Sequence, residues 1–121
     1  MKKVEIRNIS KGSIIASQGM VVDSFLTRLK GLIGRKKLCE DEGFCIKPCK
    51  GVHTFFMRFS IDIVFVDNNG EVCEILKGLK PYKVSKFISD ASYVIELAGG
   101  KCEKINIEIG DKIELQRIDN P

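Results

Sequence analysis

The single histidine of this chain, His53, follows Cys49 by four residues. On a helical turn that spacing would bring thiol and imidazole together, and the imidazole could then help form a nucleophilic thiolate. Cys49 and His53 are therefore the candidate pair for a thiol-dependent enzyme, with no third group identified to orient them. Arg58, Asp62 and Glu96 offer a different chemistry. Asp62 lies in the run Ile61-Asp62-Ile63-Val64-Phe65-Val66 and Glu96 in Tyr93-Val94-Ile95-Glu96-Leu97, both apolar and strand-like. A carboxylate on a buried strand face must be paired or hydrogen-bonded, or it stays protonated. Arg58 is the nearest cation, and its fork of donors suits a bridge between the two acids. Such a network is either a structural ion pair that fixes the sheet register or an anion site with Arg58 partly neutralised.

His53, Thr54, Phe56 and Met57 surround this network with apolar walls and a few polar groups, the usual make-up of a ligand pocket. The competing reading is that Phe55, Phe56, Met57 and Phe59 plug one end of the core. The expected function is a non-catalytic binding or accessory protein for a small molecule or peptide. Its expected ligand-binding residues are His53, Thr54, Phe56, Met57, Arg58, Asp62 and Glu96, and no cofactor is called for. Cys39, Cys45, Cys49 and His53 could form a Cys₃His set, but their spacing partly misses the usual zinc pairs, so no metal site is expected. Lys77, Lys80, Lys83 and Lys86, with Tyr82 and Phe87 between them, are the candidates for a weak nucleic-acid contact. A solvated lysine face is the default for such a series, and no recognised nucleic-acid motif accompanies it.

These groups must be positioned by a chain of 121 residues, a length that suits one domain spanning residues 1–121. Hydrophobic residues make up 44% and charged residues 30%, which excludes a disordered tail or a disulfide miniprotein. A net charge of +4, from 20 Lys and Arg against 16 Asp and Glu, is too small to mark a polyanion binder by itself. No apolar run reaches the length of a membrane helix and nothing marks export, so a cytoplasmic location without membrane contact is expected. Five scattered cysteines suit free thiols in a reducing compartment.

Val4 and Ile6 alternate with charged residues as a first strand, and Ser13–Ala16 follows as a second. Asp23-Ser24 offers an N-cap to Phe25, Leu26, Leu29, Leu32 and Ile33, whose spacing predicts a helix over 23–33 ended by Gly34. Phe44–Ile46, Ile61–Val66, Glu71–Leu76 and Tyr93–Leu97 read as strands, with a hairpin turn at Asp67-Asn68-Asn69-Gly70. Phe44 and Ile46 are expected to face inward, leaving Cys45 pointing away from the core. Residues 77–90 read as an irregular crossing segment, and Ile105–Leu115 as a last β segment broken at Gly110-Asp111. The sum is an α+β domain: a mostly antiparallel curled sheet or partial β-barrel with one main helix, about 23–33.

The stretch Pro48-Cys49-x-x-x-His53-Thr54-Phe55-Phe56-Met57-Arg58-Phe59-x-Ile61-Asp62-Ile63-Val64-Phe65-x-Asp67 resembles the signature of the domain-of-unknown-function 192 family of small prokaryotic proteins. Arg28-x-x-Gly31-Leu32-x-Gly34-Arg35, Tyr93-Val94-x-Glu96-Leu97 and Gly110-Asp111 extend the likeness from about residue 20 to about residue 115. Ser60 and Ala98 stand where the family commonly has Pro. The resemblance implies a compact, mostly β pseudo-barrel with a short helix, and it brings no catalytic residues with it.

Overall fold

The computed structural model describes residues 2–22, 35–55 and 57–118, so the expected helix over 23–33 and the side chain of Phe56 lie outside the described residues. Seven strands form one sheet: β1 (Lys2–Asn8), β2 (Ser13–Val22), β3 (Glu42–Ile46), β4 (Ile61–Asp67), β5 (Val72–Leu79), β6 (Ala91–Ala98) and β7 (Ile113–Arg117), in the order β5-β4-β6-β3-β2-β1-β7. Every neighbouring pair is antiparallel except β2–β3. The fold is α+β, with the sheet curled into a half-barrel. No described helix is long and apolar enough to cross a membrane.

Two departures from the sequence reading concern element lengths. β2 runs on to Val22 because its second half, Gln18–Val22, gains a parallel partner in Glu42–Ile46. Gly19 makes this extension possible, since a Cβ there would stand 2.8 Å from the carbonyl oxygen of Val4 on β1. The expected final β segment over 105–115 shrinks to Ile113–Arg117. Before it comes α1 (Lys101–Lys104), a single helical turn that no apolar periodicity announces.

The curl brings the two sheet edges together at one end. Val72 N–H donates to the Asp111 carbonyl (2.9 Å), Gly110 N–H to Val72 (2.8 Å) and Ile113 N–H to Gly70 (2.7 Å), so the start of β5 meets the start of β7. Asp111 locks this corner: its carboxylate accepts from the Asn8 amide (2.8 Å) and from Glu108 N–H (2.9 Å), and Lys11 stands 3.3 Å away. Burial pushes the Asp111 carboxyl up, but the bonds from Asn8, Glu108 and Lys11 outweigh it and leave its pKa below the ordinary 3.8. A carboxyl depressed in the folded state contributes stability above its unfolded pKa, and that contribution is lost as pH falls through the folded value. Denaturant midpoints measured from about pH 5 down to about pH 2 should therefore fall less steeply in Asp111→Asn than in the parent. Equal slopes would mean that this carboxyl does not couple to folding.

Both faces of the sheet are buried over β3, β4 and β6. One face packs Val64, Val66, Ile95 and Leu97 against Cys102 and Ile107 beneath the curl. The other packs Phe44, Ile46, Ile61, Ile63, Phe65 and Val94 against Leu38, Val52 and Met57. Cys45, expected to point away from the core, is fully buried on the first face. A strand covered on both sides has no outward side, and that is why its position cannot be read from Phe44 and Ile46 alone.

Candidate functional site

The double-sided burial breaks the expected Arg58 network. Asp62 pairs with Leu97 and Ile63 with Glu96 across β4–β6, and paired residues share a face. Asp62 therefore lies on the face of Val64 and Leu97, and Glu96 on the face of Ile63 and Phe44. One guanidinium cannot reach both through a sheet. Arg58 is exposed, and no ion pair joins it to either acid.

The partners of Asp62 are backbone amides. Oδ1 accepts from Gly78 N–H of β5 (2.9 Å) and Oδ2 from Cys102 N–H of α1 (3.0 Å). The residue before α1, Gly100, supplies no side-chain cap, so the strand acid serves as a remote cap to the helical turn. Met57 is likewise a core residue, its N–H donating to the Thr54 carbonyl (3.2 Å) in a turn.

Thr54 and His53 belong to a different arrangement. Residues 50–54 run antiparallel to 82–88: Ile88 N–H donates to Lys50 O (2.9 Å), Ser85 N–H to Val52 O (2.8 Å), Thr54 N–H to Lys83 O (2.8 Å) and Tyr82 N–H to Thr54 O (3.0 Å). His53 bridges Val84 across this ribbon. Thr54, fully buried, is its hub. Its hydroxyl donates to Lys80 O (2.6 Å) and accepts from Lys83 N–H (2.9 Å).

The alternation here runs against the usual pattern, because polar Thr54 points in while Phe55, 39% exposed, points out. Tyr82 (64%), Val84 (68%) and Phe87 (73%) join it on the surface. Together with Cys49, Val52 and His53 the ribbon walls an apolar groove of about 540 Å³. His53 and Phe55 stack with ring centres 4.9 Å apart, and Tyr82 lies 6.5 Å from Phe55. Lys80, Lys83 and Lys86 are exposed along the same ribbon, Lys86 standing 3.5 Å from Glu74. The sequence reading took Tyr82 and Phe87 as aromatics interleaved with lysines that could stack on a base, and passed over Val84. Three large apolar residues within a lysine-rich segment that no core periodicity claims were the available signal.

Cys49 and His53 share this groove, and each bonds to a backbone group close in sequence. The Cys49 thiol donates to Gly51 O (3.0 Å), and His53 Nδ1 accepts from Phe55 N–H (3.2 Å). A neutral ring bonded in this way carries its proton on Nε2. Burial pushes the thiols of Cys45 and Cys102 up to about 12, with the nearby Asp62 adding to the rise at Cys102. No disulfide links the five cysteines. Among the described residues no group of three His, Cys, Asp or Glu side chains is placed to hold a metal ion. Iodoacetamide at pH 7.5 should leave Cys45 and Cys102 unmodified and should label Cys49 no faster than a free thiol of the unfolded chain. Mass mapping that finds Cys49 labelled well above that rate would revive the thiol-enzyme reading.

The curled half-barrel is shared with other proteins. The sequence profile of the DUF192 family (Uncharacterized ACR) matches residues 7–115, and the chain belongs to this family. A UPF0127 protein of Pyrococcus furiosus is 32% identical over 116 residues, covering 92% of this chain and 97% of the relative. A UPF0127 protein of Pyrococcus horikoshii is 34% identical over 114 residues, covering 90% and 96%. The crystal structure of a protein of unknown function from Novosphingobium aromaticivorans superimposes with a TM-score of 0.76 at 24% identity, covering 93% of this chain and 83% of that one. That likeness is one of fold.

Proposed function

We propose that this family member is a non-catalytic binding protein whose site is the groove walled by residues 49–55 and 82–88. The observation that carries the reading is the outward set Phe55, Val84 and Phe87, with Tyr82 beside them, on a ribbon joined by four backbone hydrogen bonds. Large apolar side chains gathered at one place on a soluble surface mark an interaction site. The ribbon is held from within by Thr54, so the groove is formed before any ligand arrives. Its ligand is an apolar small molecule or the apolar side chains of a peptide.

The neutral fluorophore N-phenyl-1-naphthylamine tests this directly. Saturable enhancement at one site per chain is expected, weakened at least tenfold, or about 1.4 kcal/mol, in Phe87→Ser. Absence of saturable binding, or binding indifferent to Phe87→Ser, would remove the groove as a site.

A further inference from the structure

Charge is distributed unevenly along this chain. Residues 49–55 and 80–88, which form the ribbon beside the groove, carry Lys50, Lys80, Lys83 and Lys86 and not one acid. The remaining residues hold 16 basic groups against 16 acidic ones, so the whole formal excess of the chain falls on the ribbon. The modest overall charge conceals a basic side. That side also holds Phe87 and Val84, the two most exposed large apolar residues described, and Tyr82.

The occupant must satisfy three conditions. It must be anionic, to answer lysines of which Lys80 and Lys83 have no ion pair among the described residues. It must be apolar beneath its charge, to cover Val84 and Phe87. It must also need few directional hydrogen bonds, because the backbone groups of Val52, Thr54, Tyr82, Lys83 and Ser85 are already spent within the ribbon. A ligand bonded to those same groups would have to break the ribbon. Bases of a single strand could stack only on the exposed rings of Tyr82 and Phe87, because His53 and Phe55 stack on each other and Val84, between them, has no ring.

We infer that the groove docks this protein on the surface of an anionic bilayer, with Val84 and Phe87 entering the headgroup–acyl boundary and the lysines facing lipid phosphates. The inference rests on the groove being a binding site and adds the nature of what it binds. It concerns peripheral attachment, which the lack of a spanning apolar run does not address. The attraction is screened by salt, because lysines in water act over roughly a Debye length of about 10 Å at 0.1 M.

Co-sedimentation with vesicles of phosphatidylcholine containing phosphatidylglycerol, against vesicles of phosphatidylcholine alone, is the test. The full chain should sediment with the first and not the second, and should be released by 0.5 M salt. Lys80→Glu/Lys83→Glu and Val84→Ser/Phe87→Ser should each weaken partitioning at least tenfold, with unchanged melting showing that both variants fold. Failure to sediment with the anionic vesicles overturns the inference. So does sedimentation that Val84→Ser/Phe87→Ser leaves intact, since charge alone would then explain it. Tight binding of a thymidine 20-mer that anionic vesicles cannot displace overturns it in favour of a nucleic acid. Retained naphthylamine binding without vesicle binding would defeat only the bilayer and leave the groove standing, whereas loss of naphthylamine binding defeats the groove itself.

Discussion

Asp62→Ala should lower the unfolding free energy by about 3 kcal/mol or more, because both oxygens of a fully buried carboxylate accept from backbone N–H groups. Charge-assisted bonds of this kind contribute about 1.5–3 kcal/mol each. Cys102 N–H opens the turn of α1 and would be left buried without a partner, while Gly78 N–H lies near the surface and can recover water. Asp62→Asn should recover part of the loss, since one carbonyl oxygen remains while the amide NH₂ faces a donor. Arg58→Ala, by contrast, should move stability by no more than about 0.5 kcal/mol, as surface substitutions do. Urea unfolding of the three variants decides the matter. An Asp62→Ala midpoint equal to the parent's would show that the two amides are satisfied some other way, and a large loss in Arg58→Ala would restore the guanidinium to the interior.

Thr54→Val should free the ribbon that forms the groove. The substitution keeps the shape but deletes one hydroxyl that donates to Lys80 O and accepts from Lys83 N–H. Two backbone groups then lose their partner beside a fully buried side chain, at a cost of about 2–3 kcal/mol. The loss should be local. Amides of Tyr82, Lys83 and Ser85 should exchange with deuterium at least tenfold faster, while those of β4 and β6 keep their protection. Naphthylamine binding should weaken in parallel. Thr54→Ser, which retains the hydroxyl, should restore protection at the cost of a buried methyl. Unaltered exchange at Lys83 in the valine variant would mean that the ribbon is held by its backbone pairing alone.

The strands were legible where burial is one-sided or where a hairpin turn intervenes. Val4 and Ile6 alternate because only one side of β1 enters the core, and Asn69-Gly70 marks the β4–β5 turn whatever surrounds it. α1 was not legible, since its capping group lies on β4, about 40 residues away in sequence. The buried acids were identified correctly as needing partners. Their assignment to Arg58 failed because sequence distance says nothing about which side of a doubly covered sheet a residue takes. The groove escaped for a related reason. Its two walls, 49–55 and 82–88, lie some 30 residues apart in sequence, and neither has an apolar period of its own.

β1 is flanked by β2 on one side and by β7 on the other, so the outermost neighbour of the first strand is supplied by residues 113–117. As the polypeptide leaves the ribosome, the amide row of Val4–Asn8 that faces β7 stays without its mate until residues 113–117 have emerged. Until then the newborn protein carries a bare edge able to recruit a stranger's strand.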